Sequence, residues 1–244
     1  MNVISLKYQT AIFGNYDDIA PNIDNIKYFI EVFADKGLIP SQFKEYSLNI
    51  SNNTVKNSDS SRLSLTSTDG MWNITFNVDR IDFFLTNNNI GKVVMPSFDF
   101  FITEVQDILS KVTNRFPKKH KRIGLIAQWI LEGIESNESS KKLNKTASFF
   151  NEKGVRQWSN KISTRTTLPN SEIINVVNQF QWAKTNLKRE DNNVSFEGLS
   201  LTIDTNTINE NQNYRFSSEN LPVLLKEMSK ITEILQKENL EILA

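Results

Sequence analysis

Apolar and polar positions change their period twice along this chain, in nearly the same order each time. The first pass opens with "VISLKYQTAIF", a β-rich stretch. Ile19, Ile23, Ile26, Ile30 and Phe33 then recur at steps of four and three, the stripe of an amphipathic helix, with Gly37 as its stop and Pro40 beyond it. Extended structure resumes in "FKEYSLNIS", and residues 52–61, "NNTVKNSDSS", read as a polar loop. Asp69-Gly70 between two alternating runs predicts a hairpin, because glycine admits the positive φ of a tight turn. Beyond it Trp72, Ile74, Phe76 and Val78 share one face of a strand. The pass closes on a helix capped by Ser97, with Phe98, Phe101, Val105, Ile108 and Val112 as its apolar stripe.

The second pass begins after residue 117. Ile123, Leu125, Ala127, Trp129 and Leu131 alternate, while Gly124, Ile126 and Ile130 keep the opposite face fairly apolar, so an interior strand covered on both sides is expected. A weaker helix is predicted around Leu143, Ala147 and Phe150. A long strand then puts Ile174, Val176, Phe180 and Trp182 on one side. After the turn "KREDNN", Val194 and Phe196 have one parity and Leu199, Leu201 and Ile203 the other, which predicts a β-bulge at Glu197-Gly198. The last helix, opened by Ser218, carries Leu221, Leu224, Met228, Ile231 and Leu235. The repeat is one of element order and not of residues. The pattern predicts an α+β fold of two similar modules, 1–117 and 118–244, each a mainly antiparallel sheet backed by helices; the two sheets could join into one or contain crossovers.

Composition narrows the chemistry. A chain of 244 residues, 39% hydrophobic, with 16 phenylalanines, can bury a core without staples. The absence of cysteine excludes disulfides, thiol nucleophiles and cysteine-ligated metals. Lysine plus arginine balances aspartate plus glutamate at 28 each, so a nucleic-acid partner would need a local patch and not a global field. The opening residues lack the apolar core and cleavage site of a signal peptide, and no run is long enough to span a bilayer; a cytoplasmic location with no membrane partner is the expectation. Phosphate-loop, dinucleotide-fold and nucleophile-elbow motifs are missing, and one histidine cannot build a His-rich metal centre. No catalytic, cofactor-binding or metal-binding residue is assigned, and no cofactor is expected.

What remains is the segment "RFPKKHKRIGL". Six lysines and arginines fall between residues 111 and 122, and no acidic residue appears from 108 to 131. Arg115, Lys118, Lys119, His120, Lys121 and Arg122 are the candidate contacts for phosphate or nucleic acid. Arg115 and His120 also have the Arg-x4-His spacing that resembles the active-site motif of HEPN ribonucleases, a motif that sits on a helix; here Pro117 intervenes and a strand follows. The alternative is a solvated joint with His120 as a linker residue. Asp17 and Asp18 favour the start of the first helix, and Asp79 and Asp82 point to opposite faces of a strand, against a joint carboxylate site. The aromatics of "MWNITFNV" and "NQFQWAK" fit either a stacking platform for bases or, at strand spacing, core.

Arg122-Ile123-Gly124-Leu125, following an aromatic-rich hairpin and a helix, resembles a sporadically distributed bacterial family of about this length whose members carry a mid-chain Arg-Ile-Gly-Leu-Arg-Tyr strand; Ile126 and Ala127 replace the last two letters. The resemblance implies no activity and no catalytic residue, and its scattered distribution implies an accessory role such as toxin–antitoxin or antiviral defence. The expectation is therefore a non-enzymatic protein-interaction module, through a protein partner or self-association. A nucleic-acid-binding or nucleic-acid-processing role for the 111–122 segment is the alternative. An exposed apolar stripe on the last helix would favour the former, packing of that helix on a sheet being the ordinary outcome.

Overall fold

A computed structural model describes residues 1–51, 54–143 and 157–244. Nine strands form one sheet: β1 (Asn2–Phe13), β2 (Leu38–Ser51), β3 (Thr54–Ser67), β4 (Trp72–Phe76), β5 (Arg80–Thr86), β6 (Arg122–Glu132), β7 (Trp158–Thr167), β8 (Ile173–Arg189) and β9 (Asn192–Thr207). Four helices are described: α1 (Ile23–Val32), α2 (Phe98–Arg115), α3 (Ser136–Leu143) and α4 (Leu221–Leu243). The fold is α+β. The strand order is β2-β3-β4-β5-β1-β6-β9-β8-β7, and neighbouring strands pair antiparallel throughout.

That order reads the same way outward from its middle. β1 and β6, the first strands of the two passes, lie side by side, and each is flanked by the last strand of its own pass, β5 or β9. The two sheets expected from the sequence are thus one. All four helices cover the same face. Phe98 and Phe101 of α2 meet Tyr8 and Trp72, Phe29 of α1 stacks on Phe76, and α4 packs on β9 and β6. Asn160 Nδ2 of β7 donates to Leu143 O at the end of α3. Core residues alternate accordingly: Tyr8 and Ile12; Ile81, Phe83 and Leu85; Ile123, Leu125 and Trp129; Leu199, Leu201 and Ile203 are buried.

Several local expectations hold. The turn at Asp69-Gly70 joins β3 to β4 with Gly70 at φ 69°, and Asp69 Oδ1 accepts from Met71 N. Ser97 Oγ accepts from Phe100 N, and the stripe of α2 from Phe98 to Val112 is buried. Gly37 takes a left-handed φ of 60° after a short 3-10 turn that follows α1.

Others do not. α1 starts later than its pattern suggested, capped by Asn22 with Asp24 in its first turn, so Asp17 and Asp18 precede the helix by several residues. Its buried side runs through Asn25, Phe29 and Phe33, leaving Ile23 and Ile30 exposed, because both stand ~100° or more around the helix from Phe29. Within the expected loop, residues 54–61 are strand: β3 (Thr54–Ser67) pairs with β2 over 14 residues, and β4 pairs only with Ser64, Leu65 and Thr66.

No bulge occurs at Glu197-Gly198. β8 and β9 stay in unbroken register from Ile174↔Thr207 to Arg189↔Asn192. Apolar residues change faces there because β6 ends at Leu131↔Leu199, and beyond it Phe196 packs on the side away from the helices. The bulge is in β1 instead, between Ser5 and Lys7 against β6. β6 lies inside the sheet, but its second face is not covered by a helix. α4 is preceded by Asn220, which makes no side-chain cap, and Ser218 does not open it. Leu221, Leu224 and Met228 are buried while Ile231 and Leu235 are half-buried against the core, so α4 is a packing helix and not an exposed stripe. Of the weaker helix, Ala147 and Phe150 lie outside the described residues; Ser136–Leu143 forms α3.

Candidate functional site

With all four described helices on one side, no described helix covers the other face of the sheet, and the register places its side chains in rows. One row crosses all nine strands: Ser41, Ser64, Thr75, Asp82, Ala11, Gly124, Asn206, Asn175 and Arg165. The next runs through Thr66, Asn73, Phe84, Gln9, Ile126, Asp204, Val177 and Ser163. Cross-strand hydrogen bonds satisfy much of this polar surface, among them Ser41 Oγ to Ser64 Oγ (2.7 Å), Arg165 Nε to Asn175 Oδ1 (2.9 Å) and Asn175 Nδ2 to Asn206 Oδ1 (3.4 Å). The face is mostly polar, and these bonds brace it before anything binds.

Its two ends differ. At one end Phe13 of β1 stands directly between Arg80 of β5 and Arg122 of β6, with the guanidinium carbons 5.8 and 4.9 Å from its ring centre. Two rows further down, Lys7 Nζ lies 4.7 Å from the ring centre of Phe84. At the opposite end of β6 is a hollow of about 300 Å³, lined by Leu6, Gln128, Ile130, Gln181, Lys184, Thr185, Phe196, Gly198 and Ser200. The β1 bulge leaves Leu6 out of the register with β6 and among these residues. A Cβ on Gly198 would sit 2.3 Å from the Phe196 ring, so the ring can lie there only because residue 198 has no side chain.

The basic segment disperses on folding. Lys111 pairs with Asp107 (3.3 Å) and Asp35 (3.7 Å), and Lys118 with Asp18 (2.7 Å). Arg115, at the end of α2, lies over Tyr28 with its guanidinium carbon 4.7 Å from the ring centre. Lys119 is exposed and Lys121 half-buried, and neither makes an ion pair among the described residues. Arg122 is carried onto the open sheet face, where its Nε is buried without a partner. The six candidates therefore do not converge on one point.

His120 is the clearest departure from expectation, being fully buried and not a solvated linker. Its backbone N–H donates to Phe216 O (2.7 Å), and its carbonyl accepts from Phe216 N and Arg215 N. These bonds tie the α2–β6 joint to the segment entering α4. Its Nδ1 is 2.7 Å from the hydroxyl of buried Tyr16. Burial raises the Tyr16 phenol well above its usual range, so that group keeps its proton and donates it to Nδ1. The ring proton then sits on Nε2, which is buried without a partner. Burial first, and the charge of Lys118 second, lower the imidazole to about 4. Arg115 and His120 thus do not act together: one is an exposed cation at a helix end, the other a neutral ring in the core. Beside this joint, Arg215 grips Glu172 with two bonds of 2.6 and 3.1 Å.

The carboxylates are also structural. Asp82 is buried and bonded by Arg80 Nε (2.7 Å) and Asn77 Nδ2 (2.9 Å), and burial raises its pKa. Asp17 meets Arg62, and Asp18 meets Lys118. Among the described residues no group of three or more metal-ligating side chains converges, and no helix is long and apolar enough to cross a membrane. Trp72 sits half-buried against Phe101 of α2, and Phe76, Phe180 and Trp182 are buried on the helix side. These are core, not a stacking platform. Among the described residues the open face carries Phe13, Phe43, Phe84 and Phe196, whose sequence signal was an apolar residue of the wrong parity. No family model, curated protein or solved structure matches the chain.

Proposed function

We propose that this chain is a non-enzymatic interaction module that docks a protein partner on the open face of its sheet, with the Phe196 hollow as the anchor point. What carries the reading is the one-sided arrangement of the described helices, none of which covers the other face of the nine strands. At about 4.8 Å between strands and 3.3 Å per residue, the face is on the order of 1,000 Å², above the ~800 Å² that one partner contributes to a stable complex. Its composition suits a partner that comes and goes: polar, hydrogen-bonded, with few free charges. The hollow adds an apolar recess of Leu6, Ile130 and Phe196 rimmed by Gln128 and Gln181, the form in which an interface receives an anchoring side chain. An accessory role in a defence or toxin–antitoxin assembly rests on the family resemblance alone.

The test is purification of tagged protein from its native host beside two variants. Gln181→Arg fills the rim of the hollow and Lys119→Glu alters the exposed joint. A stoichiometric protein retained by the wild type and Lys119→Glu but lost from Gln181→Arg supports the reading. A monomer with no stoichiometric partner refutes it, as does a partner indifferent to Gln181→Arg.

A further inference from the structure

The opposite end of the open face has a different chemistry, and it stands independently of the hollow. Within three adjacent strands, β5, β1 and β6, two aromatic rings and three cations share one surface. Lys7 and Arg122 make no ion pair among the described residues, and Arg122 also leaves its Nε without a hydrogen-bond partner. The one carboxylate among them, Asp82, is buried beneath Arg80. Four residues of β1 separate the level of Phe13 from that of Phe84, which faces Gln9, about 13 Å along the strand. The row between the rings is floored by Ala11 and Gly124, which face each other across β1 and β6.

Gly124 has no steric reason to be glycine. A Cβ there would meet only Asn206 Cβ at 3.7 Å, an ordinary contact, and its backbone is extended strand. What the absent side chain does is keep a shallow floor open between two rings.

We infer that this patch binds a short stretch of single-stranded nucleic acid, bases replacing the cations that lie over Phe13 and Phe84 as Arg122, Arg80 and Lys7 turn to the phosphates. Aromatic faces accept any base and cations track the backbone, a combination that open sheets provide for single strands. A partner bearing only carboxylates would use the cations and have no need of the rings. The nucleic acid contacts the sheet and not the 111–122 segment, of which Arg122 alone belongs to the site.

Three cations set the scale. At a salt slope of about −0.7 for each phosphate neutralised on a single strand, the whole patch has a slope of about −2, or roughly 16-fold weaker binding at 200 mM than at 50 mM salt. The experiment is fluorescence anisotropy of a labelled twelve-nucleotide oligouridylate against the full chain, with thermal melts as a check on folding. Wild type, Phe84→Leu, Arg122→Ala and Gly124→Val are compared with Lys119→Ala, and polyglutamate serves as competitor. The site predicts binding with that slope, a loss of tenfold or more in Phe84→Leu and in folded Gly124→Val, a shallower slope in Arg122→Ala, and no change in Lys119→Ala. No binding by folded wild type at 50 mM salt overturns it. So does binding that Phe84→Leu leaves intact, or that polyglutamate displaces as well as unlabelled oligouridylate does, since either makes the contact one of charge alone.

Discussion

Acid should destabilise this protein through one side chain, and the size of the effect follows from where that side chain sits. His120 is buried, its Nε2 has no partner, and its pKa falls from 6.5 to about 4. As pH drops through 6.5 the unfolded chain takes up the proton and the folded chain does not. Stability is therefore complete above pH 6.5, falls between 6.5 and about 4, and levels off below the folded value. At about 1.4 kcal/mol per pH unit of separation, ~3 kcal/mol is lost over that window, of which ~2 kcal/mol is gone by pH 5. That is a large part of the 5–15 kcal/mol typical of a folded domain. The assay is urea unfolding followed by tryptophan fluorescence at pH 7.5, 6.5, 5.5 and 5.0, on wild type and His120→Asn. The asparagine carbonyl can still accept the Tyr16 hydroxyl but does not titrate here. Because His120 is the only histidine, the difference between the two curves isolates it. Asp82 and Glu233, whose carboxyls are also raised by burial, contribute equally to both proteins and cancel. Wild type should lose ~2 kcal/mol more than His120→Asn between pH 7.5 and 5.0. Parallel profiles would refute the assignment of a neutral, desolvated imidazole.

Arg62 is buried and donates to Phe76 O (3.0 Å) and Tyr16 O (2.8 Å), so Arg62→Met strands two carbonyls and should cost ~3 kcal/mol in urea unfolding. Asn178 and Asn239 exchange two amide bonds of 3.1 and 2.7 Å between β8 and α4; Asn239→Ala should cost ~1–3 kcal/mol, and Asn178→Val with Asn239→Leu less than the two single changes together. Gly124→Ala should melt within a degree or two of wild type, because its Cβ finds only ordinary contact. Gly198→Ala must push the Phe196 ring aside and should lower the melting temperature while shifting the aromatic resonances of that ring.

Elements with a periodic core face were readable from sequence, and those without one were not. α2 shows its stripe from Phe98 to Val112 because that side is buried along its whole length, beginning with Phe98 and Phe101 against Tyr8. Residues 54–61 of the β2–β3 arm read as loop because pairing with one neighbour asks nothing of a strand's side chains. α1 misled in the opposite sense: of the five apolar residues that fit a helical stripe, Ile19 and Phe33 are buried and Ile26 packs against the core, while Ile23 and Ile30 face solvent and Phe29, outside the stripe, is buried. For the candidate site, charge density along the chain pointed to the 111–122 segment. Lys111 has a local i,i+4 partner in Asp107, but burial of His120, pairing of Lys118 and stacking of Arg115 depend on residues far away in sequence, and no local pattern records them. The open face was hidden for a related reason. An outward Phe13 or Phe84 looks like any apolar residue until the positions of the helices are known.

The seam between β1 and β6 has a consequence for how the chain folds. Eleven register pairs join residues 2–13 to residues 122–132, so the middle of the sheet closes only after more than a hundred residues have been made. Such distant pairing makes folding slow. Until β6 arrives, β1 can use only its β5 side, and the other side is a bare row of amides and carbonyls, the kind of edge that recruits foreign strands. A chain cut at Pro117 would be left in that condition permanently. Its first half contains a helix-backed meander but also an open template, and it should aggregate where the full chain stays dispersed.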